Sequence, residues 1–195
     1  MRIGRTSQEN SEDSDATNEL PGQFGCLKGV CAFLQILTKP ETSCTIERCM
    51  NDPFHLQRFV DAQDPEWESV RAELRQGCKR GHWMWFVFPQ LRGLGNSSTA
   101  NYFGITSSAE AEAYLKHPIL GQRLFECTRL VNSIDGRSIE TIFGGIDAMK
   151  FRSSMTLFNH VGRDREIFGD ALEKYFDGKA DPLTLKLLGS RHRTS

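Results

Sequence analysis

Residues 81–95 read Gly-His-Trp-Met-Trp-Phe-Val-Phe-Pro-Gln-Leu-Arg-Gly-Leu-Gly, a strongly apolar run that ends in polar residues and glycines. Its aromatic and aliphatic side chains favour burial, because removing apolar surface from water lowers the free energy. The glutamine and arginine that follow must then emerge at the rim of whatever covers the apolar part. The run is therefore our candidate for both the core and a binding site.

Composition indicates one domain with an appendage. The chain has 195 residues, of which 38% are apolar and 25% charged, and its net charge is -1. This balance predicts no general affinity for nucleic acid or for an anionic membrane. No apolar segment reaches the roughly 18 residues that a membrane span needs. The acidic N-terminus is atypical of a signal or transit peptide, so we expect a cytoplasmic protein with reduced cysteines.

An N-terminal extension is predicted for residues 1–49. Residues 1–23 are polar and acidic, which favours disorder. Residues 24–37 are apolar with helical spacing. They indicate a loosely held appendage, and the alternatives are a docking helix or a weak membrane-surface helix. The extension also carries two C-x4-C pairs, for which free thiols are a better interpretation than a zinc site: Cys26, Cys31, Cys44 and Cys49.

Residues 50–188 carry the start signals and apolar stripes of short helices. Side chains that can cap a helix precede several of these stripes: Asp52, Asp64, Ser97 or Ser98, Ser107, Asp147, Asp164 and Asp181. The clearest stripe comprises Ile119, Leu120, Leu124, Cys127, Leu130, Val131 and Ile134. We predict an all-α domain of seven or eight short helices around an aromatic extended segment, followed by a mobile basic tail at residues 189–195.

The chain resembles a known family over residues 51–188. The resemblance is carried by residues 52–63 (Asp-Pro-Phe-His-Leu-Gln-Arg-Phe-Val-Asp-Ala-Gln), by residues 81–95, and by residues 150–158 (Lys-Phe-Arg-Ser-Ser-Met-Thr-Leu-Phe). These motifs are similar to the domain-of-unknown-function family 1810, also called the Rv1873-like superfamily. The resemblance implies a compact, mainly helical fold and no settled activity. A fainter likeness, in the helical layout and in Lys150-Phe151, is to the NAD- and ADP-ribose-associated (NADAR) superfamily.

Three residues of the apolar run are candidates for chemistry or stacking. His82 is our candidate catalytic acid or base, and the alternative is a histidine bonded to a backbone carbonyl. Trp83 and Trp85 would point the same way from an extended backbone, where they could stack on a base or a nicotinamide ring. The alternative for both tryptophans is the hydrophobic core.

Two polar clusters are candidates for binding phosphate. Gln90 and Arg92 follow a proline and precede two glycines, a context that suits either a phosphate contact or a solvated turn. Lys150, Arg152 and Ser153 lie close to Gly144-Gly145 and the start of a helix, which attracts anions. The alternative for this second cluster is a buried cation paired with a carboxylate.

These patterns lead to a functional hypothesis without a cofactor. We expect Arg92, Lys150 and Arg152 to surround one aromatic-floored pocket that binds a phosphate-bearing small molecule, such as a nucleotide or an ADP-ribose derivative. Hydrolysis of its N-glycosidic bond would extend the hypothesis and would need His82 or a carboxylate nearby. The alternative function is a non-catalytic protein–protein interaction module. No Walker or dinucleotide fingerprint and no metal-ligand spacing occurs between residues 50 and 188, so no cofactor or metal is predicted there.

Overall fold

The structure, a computed structural model, describes residues 52–162 and 166–191. The described residues form ten helices and confirm the predicted all-α class: α1 Gln57–Gln63, α2 Trp67–Gln76, α3 Met84–Val87, α4 Ser98–Tyr102, α5 Ser108–Lys116, α6 Leu120–Asn132, α7 Ile139–Phe143, α8 Gly145–Val161, α9 Glu166–Phe176 and α10 Pro182–Arg191. None of these ten helices has the length and the apolar composition that a membrane-spanning helix requires. Several predictions lie outside the described residues: the disorder of residues 1–23, the helix at 24–37, the four N-terminal cysteines, and the cap at Asp164.

Local capping residues set several helix starts, as the sequence predicts. The hydroxyls of Ser97 and Ser107 accept hydrogen bonds from the backbone N–H groups of Ala100 and Glu110, both at 3.1 Å. Each bond satisfies one N–H of a first helical turn, which has no partner within the helix. A glycine terminates α2: Gly77 follows the helix and adopts a left-handed conformation with φ of 63°.

Helix α8 lies at the centre of the domain and contacts α3, α5, α7, α9 and α10. Its predicted apolar stripe is buried, including Phe151, Met155 and Phe158. The stripe of α6 is confirmed at its centre, where Leu124 and Cys127 are buried. Both helices therefore bury the face that their period of 3.6 residues predicts.

The aromatic segment is helical where the sequence predicted extended backbone. Helix α3 is a single turn, and the backbone becomes extended only after it, where Leu91 forms a parallel bridge with Ile105. Buried N–H groups need partners, and no neighbouring strand is available at α3 among the described residues. The helical turn supplies them internally, since the N–H groups of Val87 and Phe88 donate to the carbonyls of Trp83 and Met84, both at 3.1 Å.

Helix α8 also begins earlier than predicted. Asp147 is not its capping residue: the helix starts at Gly145, after Gly144, and has no side-chain cap. The carboxylate of Asp147 instead pairs with two lysines, Lys79 and Lys150. A carboxylate bonded to two ammonium groups gains more than one bonded to a backbone N–H, because both of its partners are charged.

The packing of α5 against α6 yields a stability prediction. A methyl group at Gly121 would overlap the backbone carbonyl oxygen of Leu115, whereas a methyl group at Gly189 would meet no atom of the described residues within 4 Å. We expect Gly121→Ala to lower the free energy of unfolding by about 1–3 kcal/mol, the usual cost of overpacking. Gly189→Ala, also in a helix, should be neutral or slightly stabilising. Urea denaturation of both variants measures this, and equal midpoints would contradict the close approach of α5 and α6.

Candidate functional site

Trp83 lies in the core. Its side chain is fully buried, and its ring packs against Phe88 and Phe143 with centroid distances of 6.3 and 6.1 Å. The indole N–H donates to Glu73 at 2.8 Å, so its one polar atom is satisfied. The prediction that both tryptophans face one pocket is therefore wrong for Trp83, because a fully enclosed ring has no face left for a ligand.

Glu73 fixes the loop that precedes Trp83. Besides the indole, its carboxylate accepts hydrogen bonds from the backbone N–H groups of Arg80 at 2.7 Å and Gly81 at 3.0 Å. Partial burial disfavours the charged carboxylate, but these hydrogen bonds outweigh it and hold the pKa of Glu73 below its ordinary value. Glu73 is therefore an ionised hydrogen-bond acceptor at neutral pH.

Trp85 is half-buried and meets a cation. The ammonium group of Lys150 lies 3.8 Å from the centroid of its ring, well inside the range of a cation–π contact. The same ammonium donates to Asp147 at 2.6 Å. The structure thus brings together two of the predicted residues, Trp85 and Lys150, at the point where α3 meets the start of α8.

A second lysine shares the carboxylate of Asp147. Lys79 approaches it at 2.7 Å, and the side chains of Lys79, Asp147 and Lys150 are only 8%, 17% and 16% exposed. We call these three residues the lysine–aspartate triplet. Partial burial opposes ionisation of Asp147, but the hydrogen bonds from Lys150 and Lys79 dominate and keep its pKa below the ordinary value. The triplet therefore carries one surplus positive charge.

The start of α8 adds to this positive potential. The helix runs for 17 residues, and no side chain of the described residues caps its first N–H groups. Such an N-terminus carries a partial positive charge and favours anions. A methyl group in place of the Gly144 or Gly145 hydrogen would meet no atom of the described residues within 4 Å, so among them the backbone of the first turn is open to a ligand.

Gln90 lies beside Trp85. Gln90 is only 7% exposed, and its side-chain amide forms no hydrogen bond with any other described residue. A methyl group at Gly95 would lie 3.6 Å from the Trp85 ring and 3.7 Å from the Gln90 amide nitrogen, so the ring and the amide border the same glycine. Gln90 thus borders Gly95 as Trp85 does, and its part in binding stays a prediction.

Arg92 and Arg152 lie elsewhere. The guanidinium of Arg92 donates to the Asn101 carbonyl at 3.1 Å. Arg92 also lines a cleft, and neither Lys150 nor Arg152 lines that cleft. Arg152 donates to the carbonyl of Lys179 at 2.9 Å and holds the loop before α10. The predicted ring of three cations around one pocket is therefore not formed.

Two other candidates have different surroundings. Ser153 donates to the carbonyl of Met149, one turn earlier in α8, at 3.1 Å. His82 is exposed and forms no hydrogen bond or ion pair within the described ranges. Among the described residues, neither Ser153 nor His82 forms a hydrogen bond or ion pair with the lysine–aspartate triplet. Their functional roles therefore stay predictions.

Lys79 is a site residue that the sequence did not predict, and the predicted role of Asp147 as a helix cap is wrong. A local signal exists for one half of the triplet, since Asp147 and Lys150 are three residues apart on a helix and such pairs meet. Lys79 has no such signal, because it reaches Asp147 only through the packing of the loop after α2 against α8.

The described residues offer little support for a metal site or for a reactive thiol. Within residues 52–162 and 166–191, no group of three or more His, Cys, Asp or Glu side chains could hold a metal ion. Cys127 is fully buried, and burial raises the pKa of its thiol well above the ordinary range. A buried thiol of this kind is a poor nucleophile.

Comparisons with known proteins match most of the chain. The family model described as "Protein of unknown function (DUF1810)" matches residues 53–188. Among solved structures, the chain is similar to the crystal structure at 1.38 Å of the conserved hypothetical protein Rv1873 from Mycobacterium tuberculosis. The two share 57% sequence identity with a TM-score of 0.70, and the match covers 71% of this chain and 99% of that chain. No curated protein matches the sequence.

Removing the charge of Asp147 should leave two poorly solvated ammonium groups, those of Lys79 and Lys150, without their carboxylate partner. We expect Asp147→Asn to lower the free energy of unfolding at pH 7 by about 1–3 kcal/mol, the range for losing a hydrogen bond to a charged group. Since the folded-state pKa of Asp147 lies below its unfolded value, its stabilisation is present above about pH 5 and is lost as pH falls through the folded pKa. Urea denaturation from pH 7 to pH 3 should therefore show the gap between wild type and variant closing at acid pH.

A matched control is Asp135→Asn. The Asp135 side chain is 93% exposed, and its carboxylate pairs with Lys174. This variant should change stability far less, because solvent screens an exposed pair. A larger loss in Asp135→Asn than in Asp147→Asn would contradict the importance of the triplet.

Proposed function

The chain belongs to the DUF1810 family of proteins of unknown function, and we propose that its domain binds a phosphate-bearing small molecule where α3 meets the start of α8. The ligand would be a nucleotide or an ADP-ribose derivative. One observation carries the proposal: two poorly exposed lysines share a single carboxylate beside a half-buried indole. The triplet has two cations for one carboxylate, so an anionic ligand would balance its charge.

The phosphate would bind between the lysines and the first turn of α8. Lys150 is held there by Asp147, which belongs to that first turn. Phosphate oxygens accept hydrogen bonds from ammonium groups and from the N–H groups of an uncapped helix. Because the lysine side chains are mostly shielded from water, their attraction for the ligand is screened less than that of surface lysines.

The organic part of the ligand would lie against Trp85 and Gln90. An indole stacks on a heteroaromatic ring, and this contact is worth about 1–3 kcal/mol per base. The Gln90 amide, which makes no hydrogen bond within the described residues, has one donor side and one acceptor side. Such a group can read the donor–acceptor edge of a purine, which supports a nucleotide over inorganic phosphate.

Binding is better supported than hydrolysis. Hydrogen bonds hold Asp147 and Glu73 in their ionised forms, so neither carboxylate can serve as a general acid at neutral pH. Cleavage of an N-glycosidic bond would then depend on His82, which is exposed. We therefore propose binding as the function and leave hydrolysis as an extension that requires His82.

Isothermal titration with AMP, ADP and ADP-ribose tests the proposal. We expect at least one of them to bind, and Lys150→Met to weaken its affinity roughly tenfold or more, as the loss of one charge-assisted hydrogen bond implies. Lys116→Met is the matched control, because Lys116 is 71% exposed and pairs only with Glu112 on its own helix among the described residues. Equal affinities in the two variants, or no binding of any of the three compounds at millimolar concentration, would refute the proposal.

A specific feature favours the second candidate function, an interaction module. Ile146 and Met149 are 70% and 64% exposed at the start of α8, although large apolar side chains are usually covered. A second copy of the chain is the simplest partner to test. If this surface mediates self-association, sedimentation velocity should show a dimer at micromolar concentration that Ile146→Ser with Met149→Ser abolishes. A wild-type protein that stays monomeric would exclude self-association through these residues.

A further inference from the structure

The ammonium group of Lys150 covers one face of the Trp85 ring. Its nitrogen lies 3.8 Å from the ring centroid. This is van der Waals contact, since non-bonded heavy atoms meet at roughly 3.5–4.0 Å. A planar base that stacks on an indole is in the same kind of contact with the same face. The ammonium and a base therefore compete for one position, and a base cannot take it while Lys150 is there.

One carboxylate holds the ammonium of Lys150 at the ring. Lys150 donates to one oxygen of Asp147 at 2.6 Å, and this is the only hydrogen bond of its side chain among the described residues. An ammonium group has three N–H donors, so two donors of Lys150 are not used by Asp147. Lys150 can therefore turn a donor toward a ligand and keep its bond to Asp147.

Lys79, the other cation of the lysine–aspartate triplet, has less freedom. Its ammonium donates to the Gly81 carbonyl at 2.6 Å and pairs with the second oxygen of Asp147 at 2.7 Å. It also lies 5.1 Å from the centroid of the Trp83 ring, which belongs to the core. Lys79 thus keeps Asp147 in place, and Lys150 is the cation that can exchange partners.

The Trp85 ring is less able to make room than Lys150. The neighbouring residues Met84 and Val87 are each 1% exposed, so the helical turn that carries the ring is fixed in the core. The ammonium, in contrast, ends a flexible stem of four carbon atoms. The covered face of the ring therefore becomes available when the ammonium leaves it.

A phosphate group can draw the ammonium away, whereas an uncharged group cannot. A charge-assisted hydrogen bond between an ammonium and a phosphate oxygen is stronger than a cation–π contact at a partly exposed ring. A nucleotide can therefore engage Lys150 with its phosphate and stack its base on the face of Trp85 that is uncovered. A nucleoside has no negative charge, so it would break the cation–π contact without replacing it.

We propose that Lys150 is a specificity-determining residue, which admits nucleotides to the covered face of Trp85 and excludes nucleosides. This inference rests on the proposed function, because it concerns the same site at the start of α8. It adds a requirement of its own, which is that removing Lys150 weakens nucleotide binding and strengthens nucleoside binding. A lysine that only attracts phosphate would weaken nucleotide binding and leave nucleoside binding unchanged.

Isothermal titration of the full chain compares adenosine with the tightest-binding of AMP, ADP and ADP-ribose. We expect the wild type to bind this nucleotide at least roughly tenfold more tightly than adenosine. Lys150→Ala leaves no long side chain over the ring, and it should weaken the nucleotide and tighten adenosine by roughly threefold, as the loss of a cation–π contact implies. Lys116→Ala, at a lysine that is 71% exposed, is the matched control and should change neither affinity.

The outcomes separate this inference from the proposed function. If the wild type binds a nucleotide but a folded Lys150→Ala variant binds adenosine no more tightly than the wild type does, the inference is wrong and the proposed function stands. Equal affinity of the wild type for adenosine and for the nucleotide would also overturn the inference. If the wild type binds none of the three nucleotides, the proposed function fails and the inference fails with it.

The wild type also gives a readout that needs no variant. The methylene group next to the Lys150 ammonium lies close to the face of the indole, whose ring current shifts the NMR signals of that group upfield. In protein with ¹³C-labelled lysine, the nucleotide should return these signals to the ordinary lysine position, and adenosine should leave them in place. Signals that stay upfield at saturating nucleotide would overturn the inference even if Lys150→Ala did not fold.

Discussion

The hydrogen bond between the Trp83 indole and Glu73 is the constraint on which the domain depends. A fully buried indole needs an acceptor for its N–H, and α2 supplies it. The same carboxylate fixes the backbone of Arg80 and Gly81, so the loop after α2 follows the tryptophan into place. Burial of the Trp83 ring therefore determines the position of Lys79, which lies at the start of that loop.

The candidate site follows from this placement. Once the loop is fixed, Lys79 meets Asp147 at the start of α8, and Asp147 in turn holds Lys150 over Trp85. Because α3 is helical, residues two positions apart point in opposite directions, and Trp85 faces away from the core that Trp83 enters. One short segment thus supplies a core residue and a site residue without having to bury both indoles.

Local features of the fold could be predicted from the sequence, and long-range ones could not. The cap of α5 at Ser107 depends on residues three positions apart, and such signals survive folding unchanged. The turn at α3 could not be predicted, because extended backbone there would have been favoured only with a partner strand. The sequence predicted that Trp85, Gln90 and Lys150 share one pocket with Arg92, and nothing in it shows that the position of Arg92 depends on α4 instead.

The two buried ion-pair networks differ in whether their charges balance. Arg58 and Glu110 are one cation and one anion with their hydrogen bonds used, so their network needs nothing further and acts as a frame. The lysine–aspartate triplet has two cations for one anion. Lys79 also donates to the Gly81 carbonyl at 2.6 Å, and Lys150 lies over the Trp85 ring, but neither contact supplies a negative charge. An anionic ligand at the start of α8 would offset the second positive charge, which is why we place binding at the triplet and attribute a structural role to Arg58.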